Sequence, residues 1–172
     1  MSITTSEDGL FRIYAWDTYT GGTQHNFDAI YQYKINNKAF SKIARTDKDD
    51  PGRWYSVIHL LNTDNKVYYI GTYHEVHSTR YLYQGVKIFC IENNSLNTDV
   101  RLIKTNTGIR NELGFEFDLA SAAKRPDFQK LIYFDEDDDQ LHLAVVHEDG
   151  KVTRQFITYQ FTGKYFEQIK KQ

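Results

Sequence analysis

The apolar residues of this chain come in short segments, most of them about five to ten residues long, separated by Asn, Asp, Gly and Thr. Helices need longer runs with a period near 3.6, so this spacing predicts many short antiparallel strands. Strands are expected at Leu10–Trp16, Phe27–Ile35, Trp54–Leu61, Val67–Tyr73, Val86–Ile91, Val100–Lys104, Gly114–Leu119, Lys130–Phe134, Leu141–His147, Thr153–Phe161 and Tyr165–Ile169. The 13 Tyr and 11 Phe support this, because aromatic side chains suit a pleated, half-buried surface. One helical turn is expected at Leu119–Lys124, with Pro126 stopping it.

The segments repeat. Tyr31-Gln32-Tyr33 is followed by Asn36-Asn37-Lys38-Ala39-Phe40 and Ile43. Tyr159-Gln160-Phe161 is followed by Gly163-Lys164-Tyr165-Phe166 and Ile169. A weaker copy is Phe89-Cys90-Ile91 with Asn93-Asn94-Ser95-Leu96. Asn and Gly tolerate the left-handed backbone of a tight hairpin, so each copy reads as one. Upstream, Arg12–Thr18, Val57–Thr63 and Lys130–Glu136 each form an apolar strand ending near Asp or Asn.

The implied unit is strand, polar turn, strand, loop, strand, hairpin, strand. About three such units fall at residues 10–45, 54–105 and 129–171, with an extra strand near 114–119. The expected fold is all-β, with almost no helix and a single domain over residues 1–172. Four-stranded meanders of this length resemble β-propeller blades, although the Gly-His and Trp-Asp signature is missing. Three units are too few for an ordinary closed propeller, which leaves a propeller-like arrangement or an irregular sandwich or barrel.

Charge and cysteine content exclude several function classes. Lys and Arg total 21 against 23 Asp and Glu, a net charge of −2, and no basic run exceeds two neighbours. Nucleic acid is therefore not an expected partner. The lone Cys90 forms no internal disulfide and reads as a small buried hydrophobe. No apolar run reaches the ~18 residues of a membrane helix. Residues 1–8 lack the regions of a signal peptide, which suits a cytoplasmic chain or a secreted one separated from its leader.

One stretch breaks the repeat. Where the other units have a second strand, the first has Asp17-Thr18-Tyr19-Thr20-Gly21-Gly22-Thr23-Gln24-His25-Asn26, flanked by Trp16 and Phe27. Two glycines allow sharp bends, and departures from local rules gather at functional sites. The plain alternative is a solvent loop replacing a lost strand. A second polar loop surrounds His74-Glu75-Val76-His77 and Arg80. Candidate binding residues are Trp16, Asp17, Tyr19, Gln24, His25, His74, His77 and Arg80.

Metal and catalytic readings are weaker. His74 and His77 are three apart, one short of the His-Glu-x-x-His spacing that places two ligands on a helix face. His142 and His147 are an odd number apart in one expected strand, so they face opposite ways. His59 sits at a core-lining position of the repeat. Asp135-Glu136-Asp137-Asp138-Asp139 lacks the Gly and Glu of a calcium loop and reads as a solvated turn. No Gly-x-Ser-x-Gly motif occurs. The expectation is a non-enzymatic binding or scaffold module for a protein or a polar ligand such as a carbohydrate, without catalytic residues, metal or cofactor. The alternatives are a glycoside- or polysaccharide-acting hydrolase with loop carboxylates, and a structural fragment of a larger repeat protein.

Overall fold

The computed structural model describes residues 1–44 and 50–169. The first sheet is a meander of β1 (Ser2–Thr5), β2 (Phe11–Asp17), β3 (Phe27–Ile35) and β4 (Lys38–Ile43). A second meander follows: β5 (Trp54–Asn62), β6 (Val67–Val76), β7 (Tyr81–Glu92) and β8 (Ser95–Asn97). Next come the small hairpin β9 (Ile103–Thr105) and β10 (Gly108–Arg110), then β11 (Glu112–Asp118). A third meander closes the chain: β12 (Ile132–Asp135), β13 (Gln140–Val146), β14 (Val152–Phe161) and β15 (Phe166–Gln168). Among the described residues the helical structure is one turn, α1 (Leu119–Ala122), and a 3-10 turn at Phe128–Lys130. None of it is long and apolar enough to cross a membrane.

The pieces between the meanders extend their sheets. β11 pairs with Tyr81–Lys87 of β7, while β8 pairs with Cys90–Glu92 of the same strand. β9 joins β15 in parallel and carries β10 with it, so the third sheet has six strands. Turn chemistry sets the hairpins. Asn36 and Asn37 have φ of 49 and 62, and Asn93 and Asn94 have 49 and 57. Two consecutive positive-φ residues give the turn whose twist matches paired strands. The corresponding turn in the third sheet holds Gly163 at φ 86.

The first meander begins earlier than the apolar pattern implies. β1 pairs with β2, so Phe11–Asp17 is a second strand rather than a first. Residues 18–26 are thus a long β2–β3 connection, which Asp17 enters from β2, and replace no strand. β1 carries little apolar signal: it is four residues long and its apolar member, Ile3, is 53% exposed.

The second sheet is the middle layer. Tyr55, Ile58, Tyr69, Tyr73 and Phe89 meet Phe11, Ile13, Tyr31 and Tyr33 of the first sheet. On the opposite face Leu61, Ile70, Val86, Ile88 and Cys90 meet Ile132, Phe134, Leu141, Leu143 and Phe166 of the third. Strand alternation sends neighbouring residues of β5, β6 and β7 to the two cores.

The registers show how the sheets stack. Ile13 opposite Tyr31, Ile70 opposite Ile88, and His142 opposite Thr158 occupy equivalent positions, each pair the same distance from its Asn or Gly hairpin. Ile13 faces the second sheet and Ile70 the third. His142 faces away from the second sheet, because its strand neighbours Leu141 and Leu143 face toward it. Each sheet therefore meets the next through the opposite face. The fold is an all-β, three-layered irregular sandwich in which no sheet closes into a barrel.

Candidate functional site

The β2–β3 connection is held by its own polar groups. The Thr18 amide and hydroxyl both donate to Asn26 O, at 2.8 and 2.9 Å. Gly21 has φ +121, and a Cβ there would lie 2.5 Å from Gln24 O, so only glycine fits. The Asp17 carboxylate has two tasks. One oxygen accepts the Tyr19 amide at 2.7 Å, and the other lies 2.7 Å from His25 Nδ1. A carboxylate only accepts, so Nδ1 carries the proton and Nε2 is left for a ligand. Tyr19 has φ 56 and is 92% exposed. Left-handed backbone is uncommon for a bulky residue and marks a position held by its surroundings.

Asp17, Tyr19, Thr20, Gly22, Gln24 and His25 line an open hollow of about 150 Å³. Four of the expected site residues, Asp17, Tyr19, Gln24 and His25, thus come together. Trp16 does not: it is partly buried on the opposite side of β2 from Ala15 and lies outside the hollow.

The second polar loop is shorter than expected, because β6 runs on to Val76 and β7 starts at Tyr81. The His77 and Ser78 amides donate to Tyr81 O at 3.1 and 3.0 Å, closing the turn. The two loops touch: the His25 amide donates to Val76 O at 3.1 Å, forming an isolated antiparallel bridge.

The remaining candidates separate. His74 stacks on Trp54 with ring centroids 4.2 Å apart, and its Nε2 is 3.0 Å from Ser56 Oγ. Burial pushes its pKa down to about 4, so the ring is neutral at ordinary pH. Alternation along β6 puts it on the other face from Glu75. Arg80 is an anchor: its Nε donates to Asp118 at 2.7 Å, and its guanidinium lies over the Tyr81 ring. The Asp118 carboxylate also caps α1 through the Ser121 amide.

His77 belongs to a charged cluster that the apolar pattern does not reveal. Its Nδ1 lies 2.6 Å from Glu116 Oε2, and its Nε2 lies 3.0 Å from Glu75 Oε2. Arg53 reaches Glu75 at 3.1 Å and Glu112 at 2.9 Å, with its guanidinium 4.1 Å from the Tyr73 ring centre. Lys87 adds a contact to Glu112 at 3.2 Å. Burial opposes ionisation of Glu112, yet Arg53 and Lys87 outweigh it and hold the carboxyl below its ordinary range. The one sequence signal was the alternation Glu112, Gly114, Glu116, which places both carboxylates on one face of β11.

Other histidines and acids take structural places. His59 is not packed among apolar groups alone; its Nδ1 is 2.9 Å from Glu136 Oε1, with the Phe134 ring edge-on. Residues 135–139 form the β12–β13 turn, with Asp139 at φ 52. β13 ends at Val146 after an irregularity, so His147 lies in a turn. Among the described residues no three His, Cys, Asp or Glu side chains converge as a metal ion requires.

Comparison with protein-family models, with curated proteins and with solved structures gives no match for this chain.

Proposed function

We propose that the chain is a non-enzymatic binding module whose β2–β3 loop, braced by the β6–β7 loop, takes a polar, hydroxyl-bearing end-group such as one sugar residue of a glycan. The observation that carries this is the Asp17 carboxylate, which holds both the Tyr19 backbone and the His25 ring at one hollow. An exposed aromatic face, a ring nitrogen and the Gln24 amide suit a ligand with one apolar face and several hydroxyls. The hollow is smaller than the roughly 300–1,000 Å³ typical of drug-sized ligands, which favours an end-group.

The hydrolase alternative finds less support. A glycosidase needs two carboxyl groups flanking open space for the scissile bond. Here the space between Glu75 and Glu116 is occupied by the His77 ring, and that between Glu75 and Glu112 by Arg53.

The test is a glycan and protein panel probed with wild type, Asp17→Ala and Tyr19→Ala. A ligand found with wild type should be lost with Asp17→Ala and bound at least about tenfold more weakly by Tyr19→Ala, a loss of ~1.4 kcal/mol. Unchanged profiles would move the site elsewhere. Turnover of an aryl glycoside, abolished by Glu75→Gln, would replace this reading with the hydrolase.

A further inference from the structure

The His77 ring lies between carboxylates on two different strands, Glu116 on β11 at 2.6 Å and Glu75 on β6 at 3.0 Å. A carboxylate accepts hydrogen bonds and donates none. A neutral imidazole has one N–H, so it satisfies one contact and turns a lone pair toward the other. Both contacts are attractive only when both ring nitrogens carry protons.

The surrounding charges agree. Arg53 and Lys87 supply two cations to the three carboxylates Glu75, Glu112 and Glu116, and an imidazolium completes the balance. From β7 the Tyr83 ring packs 5.6 Å from His77. Arg80, on the turn after His77, is engaged by Asp118. From the first sheet, His25 approaches through its amide, which bonds to Val76. Burial disfavours the charged ring, but the hydrogen bonds to Glu116 and Glu75 outweigh it and raise its pKa.

We propose that His77 is a proton switch for the two-loop site: doubly protonated, it ties β11 to the end of β6 and steadies Val76 as the partner of His25. Loss of the proton frees one carboxylate. Glu75 is 10% exposed and also held by Arg53, whereas Glu116 is 48% exposed, so Glu116 is the one released. The bridge between the loops then weakens. The folded pKa lies above the unfolded value of about 6.5, so the tie is complete at mildly acid pH and lost as pH rises through the folded pKa. The consequence for ligand affinity rests on the binding reading above; the switch itself does not.

The test uses the ligand-free protein. Ring ¹⁵N spectra between about pH 5 and 9 should show His77 protonated on both nitrogens, with a midpoint above that of an unstructured histidine. Glu116→Gln should lower the midpoint by at least about half a unit. Hydrogen exchange of the His25 amide, corrected for intrinsic rates, should be roughly threefold or more slower below the midpoint than above it. His77→Gln should abolish that difference. A midpoint at or below that of an unstructured histidine, or His25 protection indifferent to His77, would overturn the proposal. Asp17→Ala should leave the His77 midpoint in place while removing any ligand, so failure of the site and failure of the switch read out separately.

Discussion

Arg53→Met tests whether the charged cluster works as a buried network or as screened surface pairs. The guanidinium is 19% exposed and contacts Glu75, which is 10% exposed, and Glu112, which is 34% exposed. Removing one partner of a buried ion pair costs about 3–5 kcal/mol, because a charge is left uncompensated. Here each carboxylate keeps a second partner: His77 for Glu75 and Lys87 for Glu112. That places the loss near the lower end, and the guanidinium over Tyr73 adds about 1 kcal/mol to what is removed. We expect a total of ~4 kcal/mol. In a chain of this size each kcal/mol lowers Tm by roughly 2–4 °C, so the expected drop is ~8–16 °C. Calorimetry and urea unfolding at neutral pH and physiological salt measure it. The neutral triple variant Arg53→Met, Glu75→Gln, Glu112→Gln should regain most of the loss, since isosteric replacement of a whole buried network is often near neutral. A drop below ~1 kcal/mol would show exposed, screened pairs and refute the network argument.

Three further outcomes follow from particular contacts. Gly85→Ala would place a Cβ 2.3 Å from Tyr73 Cζ in the middle sheet, so about 1–3 kcal/mol should be lost in urea unfolding, and a neutral result would mean the ring moves freely. Asn37→Ala should cost about 1 kcal/mol through its left-handed backbone, whereas Asn37→Gly should be close to neutral. His74 has a folded pKa of about 4, below the unfolded ~6.5, so the unfolded chain takes up its proton first. Its contribution is therefore complete above about pH 6.5 and declines as pH falls toward 4; His74→Phe, which keeps a ring on Trp54, should flatten that part of the stability–pH curve.

Much of the strand order was legible because turn residues carry strong local preferences. Asn36-Asn37 and Asn93-Asn94 specify hairpins by backbone sterics alone, wherever the strands later pack. β3 coincides with its expected bounds because Phe27, Ala29, Tyr31 and Tyr33 alternate cleanly with outward residues. β1 was missed because a short strand can be held by pairing rather than burial. Its Thr4 hydroxyl donates to Tyr55 O on β5, a contact with no local signature. Asp17, Tyr19, Gln24 and His25 were found together because one short loop carries them. Arg53 was missed because its partners lie 22 and 59 residues away in sequence. His74 and His77 were grouped by proximity, but strand alternation sends them to different environments.

The shared order of the three meanders explains why the site gathers where it does. The sheets stack in the same sense, so their second-to-third-strand connections come to one end. Hydrogen bonds join these connections. His25 of the first connection donates to Val76 beside the second, and the Leu119 amide donates to Arg80 O within it. The Asp118 amide donates to Gly150 O in the third, while the Asp118 side chain holds Arg80. Asp118 thus knots the second and third connections, and His25 joins the first to that knot through Val76. The longest connection, residues 18–26, is braced on one side only, which leaves its hollow open. A loop held by one rigid flank and open on the other is where a sheet scaffold can present polar groups without burying them.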